Sequence, residues 1–449
     1  MPNSKYDVLV VGAGPAGIFA CYELLNKKKK LKIGLIDMGH KIEKRKPSEV
    51  MSGFGGAGTF SDGKLHFTAT LSHEKAFHLI DSKDYQAILE YVDTVFTKFG
   101  VDAEYFPKET EDLEKLKDEA MVNDIELVVR KARHVGTDKL KEVMSKFEKY
   151  LLEKGVEILE NTEVVDILVK DNSVKGVVTK DGKKIYCETV LLAPGRIRAS
   201  WLQKLANKYE IPYIYDKVEV GVRVEFPNSI MRRQAEALYE MVYRVRTKTY
   251  HDIVRTFCSC PNGLVAKEEY EGYICVNGHS NSDHLSKNSN FALLCEVNLT
   301  EPVENSIAYA KSIAEVASTI GGGKPILQSL EDLNSGRRST WSRLKKSFVS
   351  PSLVDVTPGD IAMALPYRIV KNIQEGLEIL DTVMPGIHSG STLLYAPEVK
   401  FRSSKISTDK GLQTCIKGLY VAGDGAGLSG AITGAAVTGI MFARGLFSN

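Results

Sequence analysis

The feature that most constrains this 449-residue chain lies near its start. Tyr6 to Val11 is a short apolar run ending in Gly12-Ala13-Gly14-Pro15-Ala16-Gly17. A helix-like segment follows to Leu25, and a second apolar run, LKIGLID, ends in Asp37. A lone GxGxxG is weak evidence. Here it closes a strand, opens a helix and is followed by an acid 20 residues after Gly17, the context that a dinucleotide site requires. Gly12 permits the tight turn, Gly14 lets a pyrophosphate approach the backbone, and Gly17 allows close helix–strand packing. The helix N-terminus, with Pro15 and Ala16, then faces the phosphates, and Asp37 accepts hydrogen bonds from a ribose.

The other end reads CIKGLYVAGDGAGLSGAITGAAVTGIMFARGL. Leu419 to Ala422 has the pattern of a buried strand. Gly423-Asp424-Gly425-Ala426-Gly427 follows, then a small-residue helix from about Gly430 and Ala431. An NAD dehydrogenase has no use for this second feature. A flavoprotein does, because an acid after the last strand can hold the ribityl chain and a helix N-terminus can stabilise negative charge on the reduced ring. The two ends together argue for FAD.

Six pieces spread over nearly the whole chain carry a family resemblance: Gly12 to Gly17, GGAGTFSDGKL (Gly55 to Leu65), RHVGTD (Arg133 to Asp138), LLAPG (Leu191 to Gly195), FCSCPNG (Phe257 to Gly263) and GLYVAGDGAG (Gly418 to Gly427). The chain resembles the FAD-binding superfamily of the glutathione reductase type. Within it, the chain is similar to a group known only as FAD-dependent dehydrogenases or NAD(P)/FAD-dependent oxidoreductases. The implied fold is α/β: a Rossmann-like FAD-binding domain with an inserted α+β substrate domain containing a mainly antiparallel sheet. The resemblance also places the loop Gly53 to His66 under the flavin, so that Gly55, Gly56, Gly58 and Gly63 let backbone come close while Ser61, Asp62 and Lys64 supply polar contacts. It puts Val164 at the adenine, met through backbone atoms, and closes Ala193, Pro194 and Gly195 over the dinucleotide. Disulfide reductases of this fold carry a cysteine pair in the loop region. This loop has none, so thiol–disulfide chemistry is not expected there.

The expected domains are 1–211, with a helical segment at 71–131 and a β-meander at 156–193; an inserted substrate domain at 212–387; and a return to the FAD domain at 388–449. No second strand–GxGxxG–helix unit is present. Gly321-Gly322-Gly323 reads as a helix stop, so NAD(P)H is expected only as a transient electron donor visiting a shared groove. The net charge of +2 gives no reason to expect nucleic acid as a partner. No apolar run reaches the roughly 18 residues of a membrane span, and the first strand leaves no room for a signal peptide. The seven scattered cysteines do not form a disulfide framework. The expected setting is cytoplasmic, with a small-molecule substrate and a small electron carrier as an alternative partner.

Catalytic candidates are fewer. Lys64 would favour an anionic reduced ring if it lay beside it; it would equally serve to pair a nearby acid. Arg196 and Arg198 follow the Ala-Pro-Gly turn and fit either a substrate carboxylate or an interdomain ion pair. His279, in VNGHSN, is a proton-donor candidate or a surface loop residue. Cys258 and Cys260 would share a strand face; with Cys275 and His279 they could bind a metal, act as reactive thiols, or be structural, and no metal is assigned. Arg223 with Glu225, and Lys400 with Arg402, have strand spacing that suggests charged, exposed faces. Thr137 or Asp138 is expected to cap the helix after Gly136.

The expected reaction is hydride transfer between flavin and a small organic substrate, by double-bond reduction or dehydrogenation. A flavin monooxygenase and an isoprenoid-chain reductase are alternatives of the same fold, and a non-enzymatic binding protein is the alternative from another class.

Overall fold

The computed structural model describes residues 6–26, 30–46, 49–60, 63–238, 240–270, 272–279, 285–297, 299, 305–400 and 403–447. The chain divides into two compact units, one of 1–106, 130–216 and 403–449, the other of 107–129 and 217–402.

In the first unit, four short strands lie parallel: Glu157–Leu159, Ile33–Ile36, Tyr6–Val11 and the C-terminal half of Lys184–Leu192, with Leu419–Val421 alongside the last. Tyr6–Val11 is buried at all but one position, as a strand covered on both faces must be. The N-terminal half of Lys184–Leu192 turns antiparallel and joins the meander of Ser173–Thr179 and Val164–Lys170. Asp171 and Asn172 both take positive φ at that hairpin, the conformation of a two-residue type I′ turn. Helices Pro15–Leu25 and Ile432–Gly445 cross closely, because a Cβ on Gly439 would overlap the Ala16 carbonyl. A small sheet joins Lys64–His66, Ala132–His134 and Tyr105–Phe106.

The second unit is built on an eight-stranded sheet, antiparallel except where Ile326–Ser329 meets Thr357–Pro358. Its centre is Val218–Pro227, between Asn288–Val297 and Leu393–Lys400. Val218, Val220, Val222, Val224 and Phe226 join a core that includes residues of helices Ser306–Ile320 and Tyr367–Leu380.

The boundaries differ from those expected. Strand Leu393–Lys400 pairs inside the second unit, so the return to the first comes after residue 402 rather than at 388. Helix Glu111–Val122 and strand Glu126–Val128 also belong to the second unit, where the strand pairs with Val242–Arg246. Two local expectations fail as well. Arg223 and Glu225 are completely buried, because the hairpin Leu264–Tyr270/Tyr273–His279 lies over their side of the strand: a Cβ on Gly278 would overlap the Arg223 guanidinium. The helix Thr137–Glu153 is preceded by Gly136 at φ 83° with no side-chain cap. Arg402 lies outside the described residues.

Candidate flavin site

The glycine turn is held from below by Asp37. Its carboxylate accepts from the backbone N–H of Ala13 at 2.8 Å, Gly39 at 2.8 Å and Gly53 at 2.7 Å. Asp37 Oδ1 takes two of these and Oδ2 one, so one acceptor position stays open for a hydroxyl. The loop after the second strand is therefore fastened to the turn twice, since Gly55 N–H also donates to the Ala13 carbonyl at 2.8 Å.

The glycines fall into two kinds. Gly12, at φ 109°, and Gly17 sit where a Cβ would overlap the Ala193 carbonyl and the Gly12 carbonyl respectively; packing demands them. A Cβ on Gly14 would meet only Gly56 Cα, at 3.9 Å. No atom among the described residues requires Gly14 to lack a side chain, a pattern that fits close approach of a ligand. The helix that starts at Pro15 has no side-chain cap, and neither has Ile432–Gly445 after Ala431. Both N-termini keep N–H groups for an anion or a polar ring edge.

Around this turn lie most of the expected residues. Ala193 N–H donates to Val11 at 2.7 Å, and Gly425 packs against the Gly195 carbonyl. A Cβ on Gly423 would meet Ala16 Cβ at 3.2 Å, and one on Gly58 would meet Ile432. Gly63 abuts Gly136, and half-buried Lys64 starts the strand beyond it. Thr433 in the C-terminal helix donates to the His66 carbonyl at 2.6 Å. Gly430 and Ala431 form the approach to that helix, where Ser429 Oγ accepts from Ala431 N–H at 3.3 Å. Ser61 and Asp62 lie outside the described residues.

Arg196 donates to Asp424 Oδ2 at 3.3 Å, an ion pair within the first unit rather than an interdomain one. Arg198 instead clamps the meander, donating to Glu163 at 2.6 Å and to the Val164 carbonyl at 3.1 Å. An adenine at Val164 would have to share that carbonyl. His279 ends a strand of the second unit and is exposed; no hydrogen bond or ion pair of its imidazole is seen among the described residues.

Three residues missed in the sequence shape the site. Buried Arg45 donates to four carbonyls, those of Phe54, Gly56, Glu49 and Val50, and so stiffens the loop; burial lowers its pKa from the usual value. His73 is fully buried, with Nδ1 2.8 Å from the Tyr85 hydroxyl, and both lie against Gly434 near the start of the C-terminal helix. Burial, with the nearby His66 and Arg130, pushes the His73 pKa down to about 3, and burial raises that of Tyr85 beyond the normal phenol range. Arg45 sat inside a basic run and His73 in a helical stretch, so neither carried a sequence signal.

Fit to FAD rests on what the protein leaves open. Thr59 Oγ1, Thr70 Oγ1, His73 Nε2 and Asp424 Oδ1 are buried and lack a hydrogen-bond partner among the described residues. Each such atom costs about 1–3 kcal/mol, a cost that a ligand rich in hydroxyls and ring heteroatoms would relieve.

The comparisons with known proteins agree with this geometry. Residues 7–216 match the family model described as FAD dependent oxidoreductase, and residues 217–401 match the model described as FAD-dependent protein, C-terminal domain-like. The first part of the chain is thus similar to FAD dependent oxidoreductases and the second to the C-terminal domain of FAD-dependent proteins. The junction between the two matched segments falls where the structure passes from its first unit to its second. An uncharacterized protein of Clostridium beijerinckii is 27% identical over 478 aligned residues, covering 98% of this chain and 80% of that protein. A D-amino acid dehydrogenase of Helicobacter pylori is 46% identical over 54 residues, 12% of this chain and 13% of that one. Among solved structures, glycine oxidase from Bacillus cereus is 14% identical with a TM-score of 0.38, covering 98% of this chain and 94% of that one. The corresponding values for L-proline dehydrogenase from P. horikoshii are 13%, 0.42, 99% and 94%. TM-scores this low establish no shared fold over the whole chain. No helix among the described residues is long and apolar enough to cross a membrane.

Proposed function

We propose that this oxidoreductase transfers a hydride between its flavin and a small organic substrate, by dehydrogenation or double-bond reduction, in the cytoplasm and without nucleic acid as a partner. The observation that carries the reading is the cradle at Gly12–Gly17: uncapped helix N-termini, an unobstructed Gly14 and unpaired buried polar atoms occur in one unit. FAD, when bound, supplies a two-electron acceptor.

The chain's own residues hold and orient it. Gly12, Gly14, Pro15, Ala16 and Gly17 would face the pyrophosphate, and Asp37 would offer its remaining acceptor position to a ribose hydroxyl. Asp424, paired to Arg196, would offer Oδ1 to the ribityl chain. Gly55, Gly56, Gly58, Gly63 and Lys64 would line the ring side, with Lys64 supplying positive charge. Val164, Ala193, Pro194 and Gly195 would enclose the adenine end, and Gly423, Gly430 and Ala431 would bring the second helix N-terminus to the ring. The neutral imidazole of His73, fixed by Tyr85, adds a polar group that carries no charge at neutral pH. His279 is retained only as a substrate-side proton donor, to be tested by its own variant.

An anaerobic visible spectrum before and after NADH or NADPH tests the electron source. Rapid bleaching would make a nicotinamide the donor. Bleaching by dithionite alone would mean that electrons come from the substrate or from a small electron carrier. Coupled consumption of NAD(P)H and oxygen in the presence of an organic substrate would replace this reading with a monooxygenase.

A further inference from the structure

FCSCPNG lies in the second unit, where it forms an unusual buried cluster. The pairing of Ile253–Cys260 with Asn288–Val297 slips between Phe257 and Cys260, and Cys258 takes φ 48°. That is a β-bulge. In a regular strand, residues two apart are separated by about 6.6 Å; here Cys260 Sγ folds back to 3.5 Å from the Cys258 carbonyl, and one Arg223 nitrogen reaches both.

Arg223, fully buried, is aimed at this pair. Its Nη2 donates to Cys260 Sγ at 3.2 Å and to the Cys258 carbonyl at 2.7 Å, its Nε to Asn290 Oδ1 at 2.7 Å, and its Nη1 to Glu398 at 3.4 Å. Lys400 adds a second cation, 2.9 Å from the same Glu398 carboxylate. Cys260 Sγ thus receives a guanidinium N–H, an arrangement that suits a thiolate. When protonated, Cys260 can donate to the Cys258 carbonyl at 3.5 Å. The neighbouring Cys260, and burial, hold the Cys258 thiol well above its usual value, so Cys258 is the member that keeps the proton. Two further polar atoms of the cluster, Asn290 Nδ2 and Glu398 Oε2, are buried without a partner among the described residues. A donor and an acceptor are therefore left over for a small polar reagent. Cys258 is half-buried and Cys260 buried, so entry is from the Cys258 side.

We propose that Cys258 and Cys260 form a redox-active dithiol that closes to a disulfide on reaction with hydrogen peroxide. The thiolate attacks one peroxide oxygen; an S–O bond forms, the O–O bond breaks and hydroxide leaves. The second sulfur then attacks the sulfenic sulfur, the S–S bond forms and the second hydroxide leaves. The two protons of the original thiols end in two waters, and the two electrons from sulfur reduce the peroxide. This site is independent of the flavin reading.

The test uses the full-length flavoprotein, reduced, desalted and exposed to stoichiometric hydrogen peroxide, then alkylated in denaturant and digested with trypsin. Thr256 to Lys267 forms one peptide containing both sulfurs and no other cysteine. The expected result is that this peptide alone loses both alkyl groups and gains one internal disulfide, reversibly with dithiothreitol. In Cys258→Ser, oxidation should stop at a sulfenic acid on Cys260 that dimedone labels. If both thiols in the peptide stay alkylatable while exposed Cys415 oxidises, the proposal fails. It also fails if Cys260 in the variant takes no dimedone.

Discussion

The turn Gly12–Gly17 and the strand Val218–Pro227 are both enclosed by protein, but by different means. At the turn, enclosure is achieved by removing side chains. Carbonyl oxygens of Gly12 and Ala193 lie where Cβ atoms would be, and Thr59, Thr70, His73 and Asp424 of the same unit each keep a buried polar atom without a partner among the described residues. Along the strand, a row of charged side chains is buried and then matched by partners: Glu219 pairs with Arg255, Arg223 with Glu398, and Glu225 accepts from Tyr395 and Asn288. A cradle finished by a ligand looks incomplete in the protein alone, whereas a network finished by protein looks nearly complete. Asn290 Nδ2 and Glu398 Oε2, on two partners of Arg223, have no partner among the described residues and mark where that network too leaves room.

Breaking the cradle's packing should have the largest effect. Gly12→Val puts a branched side chain into the Ala193 carbonyl at a φ that only glycine adopts readily. We expect no cooperative melt of the first unit by circular dichroism and no bound flavin; a normally folded, yellow variant would refute the packing account. Next comes Arg223→Met, which leaves Glu398 as a buried carboxylate with Lys400 as its remaining cation. Loss of one partner of a buried pair costs about 3–5 kcal/mol, to be read from urea titration. The comparison predicts that flavin content per folded chain stays unchanged, and loss of flavin would show that the two regions do not act separately.

Gly14→Ala is the sharper probe because it separates ligand space from packing. Its Cβ meets no protein atom closer than 3.9 Å, so the melting temperature without flavin should hardly move. FAD affinity should fall at least tenfold, about 1.4 kcal/mol. The opposite pattern would make Gly14 a packing glycine like Gly12.

The smallest effect concerns His73. Its folded-state pKa of about 3 lies below the unfolded value of about 6.5. Above the unfolded value neither state takes up the proton, and stability is constant. As pH falls below it, the unfolded chain binds a proton that the folded chain refuses, so stability drops by at most about 1.4 kcal/mol per pH unit until the folded value is reached. His73→Gln should flatten that slope in acid titrations of the flavin-free protein. An unchanged slope would mean that other groups set it.

These differences also explain what could be read from the residues alone. The glycine turn was legible because its requirements concern backbone: Gly12 and Gly17 stand where no Cβ fits, and the spacing preserves them. Asp37 was legible as an acid at the strand end, but not its three backbone donors, which come from two loops. Arg223 and Glu225 misled, because charged residues alternating with valines look the same whether the polar face meets water or a covering hairpin. That hairpin begins about forty residues later. The second unit's true limits were hidden for a similar reason, since Leu393–Lys400 is defined by pairing with strands far off in sequence. The hydrogen bonds of Arg45 go to carbonyl oxygens, which every residue has, so no side-chain pattern announced them.

The central claim is that the Gly12–Gly17 turn and the Asp424 segment complete one FAD site. The most direct measurement is the flavin released on denaturation of the purified chain, identified by chromatography and quantified by absorbance, with FAD titrated back into the flavin-free protein. The account predicts FAD rather than FMN, close to one per chain, and rebinding that Gly14→Ala weakens at least tenfold. A folded protein that carries no flavin and gives no binding isotherm with FAD would contradict it.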